Sequence, residues 1–100
     1  MPEVTDHAVV VGHNPTPVDL LCRLIRFDTQ NFGEGRGHGE RAMAEWIAQE
    51  LRKVGWEPVL LHRDDSPERV NVVLRVPGTD PELAGVVMHA HLDVVPVEAE

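Results

Sequence analysis

The 100-residue sequence has one cysteine, few basic residues and no long apolar run. A single cysteine excludes a disulfide within the chain and is typical of a reducing compartment, so we expect a cytoplasmic protein. The N-terminus carries Glu3 and Asp6 where a signal peptide has a positive segment, and its apolar run at residues 8–11 is too short for a signal-peptide core. No stretch of the sequence has the length needed to span a bilayer.

Basic residues are the second scarcity: nine of them stand against 17 acidic residues, which gives a formal net charge of -8. This charge repels nucleic-acid phosphates and anionic membrane surfaces. The basic side chains are also scattered and form no run of the kind that phosphate recognition favours. We therefore expect neither a nucleic acid nor a membrane as a partner.

The composition that remains is that of a folded chain, with 42% hydrophobic and 26% charged residues. A chain this short leaves much of its surface exposed, so its core is marginal unless something else packs against it. Residues 1–15 show no sustained periodicity and are predicted to be a flexible N-terminal arm. Residues 16–100 are predicted to be an incomplete domain.

Two segments have the signals of amphipathic helices. Thr16 is suited to cap a first helix, Pro17 suits the first helical position, and the Asp19 carboxylate can reach back to the cap. The apolar stripe of this helix ends before the polar turn at residues 28–31. A second helix is predicted from about residue 40 to residue 54 because apolar residues recur at steps of three and four. Between them, residues 32–39 include four glycines and must form a loop.

Three strands are predicted after the second helix, at residues 58–61, 70–76 and 84–90. The third stretch is the most apolar, which is typical of a central strand covered on both faces. The predicted fold class is therefore α/β, with two helices followed by three strands of a mostly parallel or mixed sheet. Such a sheet needs more helices than these two to cover both faces.

The residues that carry chemistry stand at the end of the third predicted strand. His91 and Asp93 are two apart, so both side chains point to one face of the sheet, at the strand end where α/β folds place their sites. A neutral imidazole is a good zinc ligand, and a nearby carboxylate can orient the ring. His-x-Asp is by itself a common pattern, and most such pairs are hydrogen-bonded surface residues.

The sequence around the pair is more specific. The string HLDVVP after an apolar strand resembles the zinc peptidase family that contains acetylornithine deacetylase, succinyl-diaminopimelate desuccinylase, aminoacylase and carboxypeptidase G. Weaker matches precede it in the same order: DTQN at residues 28–31, Gly-Trp at 55–56 and RVNV at 69–72. The resemblance covers residues 17–96. Ala90 and Phe32 stand where the family commonly has glycine and proline, and neither change affects the chemistry.

The resemblance implies that His91 binds one of two zinc ions and that Asp93 is the active-site aspartate that orients this ligand. Family members hydrolyse the amide bond of dipeptides or N-acyl-amino acids, with a glutamate as general base; cobalt or manganese can replace zinc. Their other metal ligands lie downstream of the HLDVVP segment. The chain is thus expected to be the N-terminal part of a zinc-peptidase catalytic domain, inactive alone, in a protein that forms a homodimer through another domain.

Two other interpretations stay open on the sequence. In the first, the chain is a non-catalytic or truncated relative that folds only with a partner. In the second, it is a small module that binds a single metal ion through His89, His91 and Asp93. His89 shares a face with His91 in a regular strand, but the family does not use that position as a ligand. We therefore expect His89 to be structural.

Overall fold

The computed structural model describes residues 14–97, which fold into two helices and two strands. In chain order these are α1 (Pro17–Leu24), α2 (Arg41–Lys53), β1 (Val59–Arg63) and β2 (Ser66–Val73). The prediction of a mixed α/β fold with two N-terminal helices is confirmed. Residues 1–13 of the predicted arm lie outside the described residues. Neither described helix is long and apolar enough to cross a membrane.

Helix α1 begins at the predicted capping box. The Thr16 Oγ1 accepts a hydrogen bond from the Asp19 backbone N–H at 3.2 Å, and the Asp19 carboxylate accepts one from the Thr16 N–H at 2.9 Å. These bonds satisfy amide groups that the first turn of a helix leaves without partners. No residue of α1 is buried, so the helix contributes little to the core.

Helix α2 lies within one residue of its predicted bounds. Met43, Ala44 and Ala48 form its buried face. The helix ends at Lys53, and Gly55 follows with a φ of 93°, a left-handed conformation that glycine adopts without steric cost. With Val70 of β2, the buried face of α2 makes the small apolar core of the described residues.

The described residues form a two-stranded sheet where three strands are predicted, and β1 and β2 pair as an antiparallel hairpin. Val59 pairs with Val73 and His62 with Val70, but Arg63 pairs with Ser66, so residues 67–69 form a bulge in β2. Strand β2 starts earlier than predicted, at Ser66, because antiparallel pairing uses backbone groups and accepts the polar Ser66 opposite Arg63.

The third predicted strand, residues 84–90, is not formed in the part of the chain that the structure describes. Val86, Val87 and Met88 are 89%, 91% and 93% exposed. A strand requires a neighbour with which to share hydrogen bonds, and residues 14–97 supply none for this stretch. The apolar pattern predicted a strand, and no partner for it is present among residues 14–97.

Candidate functional site

The structure brings together the two motif segments that the sequence separates by about sixty residues. The Asn31 N–H donates to the Val94 carbonyl at 2.8 Å, and the Val94 N–H donates to the Thr29 carbonyl at 3.1 Å. Gln30 and Val94 thereby form an isolated parallel bridge. Residues 91–97, which contain HLDVVP, are thus tied to the DTQN turn at 28–31.

Side chains add to this backbone pairing. Thr29, which is only 3% exposed, donates from its hydroxyl to the Leu92 carbonyl at 2.9 Å. The Gln30 side-chain oxygen accepts from the Val97 N–H at 2.9 Å. A buried hydroxyl without a hydrogen-bond partner destabilises the fold, so the Thr29 bond restrains the position of residues 91–97.

The Asp93 carboxylate is held on both oxygens. Its Oδ2 accepts a hydrogen bond from the Asn31 side-chain amide at 2.9 Å and lies 3.9 Å from the Arg69 guanidinium, and its Oδ1 lies 3.3 Å from the His91 Nδ1. The Asn31 hydrogen bond is the largest cause that lowers the pKa of Asp93, with further lowering by the charges of His91 and Arg69 against a partial desolvation that raises it. Asp93 is therefore ionised at neutral pH.

His91 turns one ring nitrogen towards the chain and the other away from it. The Nδ1 lies 2.6 Å from the Asp93 backbone carbonyl oxygen. A carbonyl oxygen only accepts hydrogen bonds, so Nδ1 carries a proton, and in the neutral ring Nε2 then has the lone pair. The side chain is 77% exposed, and Nε2 has no hydrogen-bond partner among residues 14–97. Metal-binding histidines commonly have this arrangement, with the non-ligating nitrogen hydrogen-bonded to a carbonyl or a carboxylate.

An ion pair with one buried partner lies behind Asp93. Glu40, at the N-cap of α2, is 7% exposed, and its carboxylate accepts a hydrogen bond from the Arg69 Nε at 2.9 Å. The Glu40 N–H also donates to the Glu68 carbonyl at 2.8 Å. The bulge at residues 67–69 therefore holds the start of α2 and aims Arg69 at Asp93. A chain of charged groups runs from Glu40 through Arg69 and Asp93 to His91.

The glycine-containing loop at residues 32–39 packs against this arrangement. Gly39 has a φ of 79°, and a Cβ there would collide with the Glu68 carbonyl oxygen. The Gly33 N–H donates to the Asn31 Oδ1 at 2.9 Å. The predicted loop is confirmed, and its backbone contacts fix the side chain of Asn31 that holds Asp93.

The donor set fits one zinc ligand but not a complete zinc centre. An imidazole nitrogen suits zinc, and a catalytic zinc ion needs three protein ligands. Across residues 14–97 no group of three or more His, Cys, Asp or Glu side chains is placed to hold a metal ion, so His89 does not complete a site with His91 and Asp93. A zinc ion bound at His91 would need its other protein ligands from outside the described residues.

The sequence identified His91 and Asp93 but not the two residues behind them. Glu40 was assigned only to a helix start and Arg69 only to the RVNV match. The local sequence has no signal for them, because the Glu40 side chain makes no cap hydrogen bond to α2 and pairs with a residue 29 positions away. No match to this chain was found among protein-family models, curated proteins or solved structures, so its functional assignment rests on its residues and their geometry.

Proposed function

We propose that this chain supplies the N-terminal part of a two-zinc catalytic domain that hydrolyses the amide bond of a dipeptide or an N-acyl-amino acid. In this proposal His91 binds one zinc ion through Nε2, and Asp93 orients its ring. The remaining ligands and the general base come from residues that follow the HLDVVP segment in the complete protein, as in the family that the sequence resembles.

The observation that carries the proposal is the fixed orientation of the His91 ring. The Asp93 carbonyl holds Nδ1 at 2.6 Å, and the exposed ring leaves Nε2 available for a metal. The carboxylate beside the ring is itself held by Asn31 and lies near Arg69, which supports a role beyond that of an ordinary surface pair. The arrangement matches the role that the resemblance assigns to each residue.

Zinc, when bound, would supply the Lewis acidity that polarises the substrate carbonyl and activates water. The residues of this chain have the preparatory tasks. Asp93 keeps the proton on Nδ1, and the bonds between 28–31 and 91–97 hold the ligand at a fixed point. An outer carboxylate of this kind raises the basicity of the ligating imidazole.

The bare apolar stretch at residues 84–90 supports the further proposal that it becomes a strand of the complete sheet. Val86, Val87 and Met88 are each at least 89% exposed, and such a run is seldom left uncovered in a folded protein. The same observation favours the runner-up, in which the chain is a non-catalytic relative that folds only with a partner. The exposure of these side chains does not distinguish the catalytic proposal from the non-catalytic one, but measurements of zinc binding and hydrolytic activity do.

The test uses the protein encoded by the complete reading frame that contains this sequence. We expect it to bind two zinc ions per chain and to hydrolyse members of a panel of dipeptides and N-acyl-amino acids. His91→Ala should lose one zinc ion and nearly all activity, while Asp93→Asn should weaken metal binding or activity by roughly 10–100-fold because an outer-shell partner is altered. His89→Ala, two residues away, is the matched control and should leave both unchanged.

The outcomes separate the three interpretations. A wild-type protein that binds zinc but hydrolyses nothing in the panel would be the non-catalytic relative. Stoichiometric zinc binding by the 100-residue chain, lost in both His89→Ala and His91→Ala, would indicate the single-metal module. Equal metal content and activity in His91→Ala and in wild type would refute the ligand assignment altogether.

A further inference from the structure

We propose that Arg69 is a positioning residue, which uses the buried Glu40 as its anchor to hold the Asp93 carboxylate and, through it, the His91 ring in one tautomer. The proposal deepens the role suggested for His91 in metal binding. Its test, however, observes the imidazole ring without metal, so it can fail while the zinc assignment stands.

The first step is the anchor. Glu40 is 7% exposed, and among the described residues its carboxylate contacts one cation, the Arg69 guanidinium, at 2.9 Å. Glu40 has lost most of its contact with water while the Arg69 side chain stays 42% exposed, so removing Arg69 leaves the buried carboxylate without a countercharge. Glu40 is itself fixed by its N–H bond to the Glu68 carbonyl. The anchor therefore restrains the long Arg69 side chain.

The second step is the reach of Arg69 from that anchor. Its Nε is committed to Glu40, and its Nη2 lies 3.9 Å from the Asp93 Oδ2. The planar guanidinium presents its donors in a rigid fork, so fixing Nε also fixes the direction of Nη2. A lysine has no such fork and can satisfy one carboxylate without facing the other. The geometry requires an arginine at this position.

The third step leads to the His91 ring. The same Oδ2 accepts from Asn31, which leaves the Asp93 Oδ1 turned towards the His91 Nδ1 at 3.3 Å. Negative charge beside Nδ1 favours the tautomer that carries its proton there. If the carboxylate turns away, the ring keeps only the backbone carbonyl as a partner, and the Nε2–H tautomer becomes more populated.

The experiment is long-range ¹H–¹⁵N NMR of the imidazole rings in the metal-free full chain, about two pH units above the ordinary histidine pKa of ~6.5 so that the rings are neutral. We expect Nδ1–H to dominate at His91 in wild type. Arg69→Met should lower the ratio of Nδ1–H to Nε2–H by roughly two- to fivefold, the range that a partly exposed ion pair supplies. Arg69→Lys should restore it only in part, and Glu40→Gln should shift it in the direction of Arg69→Met.

The matched control is Arg63→Met, which removes an exposed ion pair with Asp65 from the same hairpin and should leave the His91 tautomer unchanged. Amide exchange at Val94, whose N–H donates to the Thr29 carbonyl, reports whether residues 91–97 remain docked. A tautomer shift with unchanged Val94 exchange supports the positioning role. An unchanged tautomer in Arg69→Met overturns it, as does a shift accompanied by loss of Val94 protection, because Arg69 would then serve only to dock the segment.

Discussion

The described residues divide into two regions held by different forces. The packed region, residues 40–73, joins α2 to the hairpin through the buried side chains of Met43, Ala44, Ala48 and Val70. The tethered region, residues 16–31 with 91–97, has one buried residue, Thr29; hydrogen bonds join its two segments, and Phe27 contacts Trp46 of α2 with ring centroids 6.0 Å apart. His91 belongs to the tethered region, and Arg69 is the contact from the packed region that reaches its neighbour Asp93.

The difference shows how a site can be ordered where there is little apolar core. Hydrogen bonds depend on direction, so they fix the orientation of a ring or a carboxylate, whereas apolar burial fixes mainly how close two elements lie. Each hydrogen bond, however, contributes only about 0.5–1.5 kcal/mol net. The tethered region should therefore be well oriented but easily released, and the packed region should carry most of the free energy of unfolding.

The largest expected effect comes from breaking the packed region. Met43→Ala should lower the free energy of unfolding by about 2–5 kcal/mol, because it removes a side chain that is 7% exposed and leaves a cavity between α2 and β2. Urea unfolding followed by tryptophan fluorescence measures the change. Val54→Ala, at a position 62% exposed, is the control and should change it far less. Equal effects at the two positions would mean that the buried face of α2 does not carry the stability of the packed region.

A smaller effect should follow from loosening the tethered region at its one buried side chain. Thr29→Val keeps the shape but removes the hydroxyl that donates to the Leu92 carbonyl, which should cost roughly 1–3 kcal/mol of docking because that carbonyl loses its partner. Hydrogen exchange should speed up at the Val94 amide and stay unchanged along α2. Thr79→Val, at an exposed position, is the control. Faster exchange along α2 as well would show that the two regions open together.

The same division explains which parts of the structure the sequence predicted. Helices α1 and α2 were predicted closely because a capping box, a terminal glycine and helical spacing are local signals. The bulge at residues 67–69 and the Glu40–Arg69 pair were not predicted, because they depend on contacts between residues distant in sequence. The apolar run at 84–90 predicted a strand, but strand formation also requires a neighbour, which the local sequence cannot supply.

For the candidate site, the sequence pointed to His91 and Asp93 by their spacing and by the resemblance of the surrounding string. It did not predict that the side chain of Asn31 would hold the Asp93 carboxylate, although DTQN and HLDVVP were both noted as matches. Two motifs that recur in the same order commonly do so because they touch in the fold. Here the contact is a pair of backbone hydrogen bonds and one side-chain bond between the two segments.

The smallest expected effect concerns the capping box of α1, where the tethered region begins. Hydrogen bonds from the Thr16 backbone and side chain lower the pKa of Asp19 below its ordinary value of 3.8. A carboxyl whose pKa is lowered by folding stabilises the fold above the unfolded-state pKa, and this contribution disappears as the pH falls through the folded-state pKa. The first turn of α1 should therefore loosen only in acid, below about pH 4.

Carboxyl ¹³C NMR titration tests this expectation directly. The Asp19 midpoint should lie below 3.8 in wild type and move up towards that value in Thr16→Val, which keeps the side-chain shape but removes the hydroxyl of the capping box. Thr79→Val should leave the midpoint in place. The Thr16→Val shift should be only partial, because the Thr16 backbone N–H is the larger cause and is retained. A complete return of the midpoint to 3.8 would mean that the Thr16 hydroxyl holds the whole first turn. Helix α1 would then be fixed by one polar contact, and the same would be expected of the rest of the tethered region.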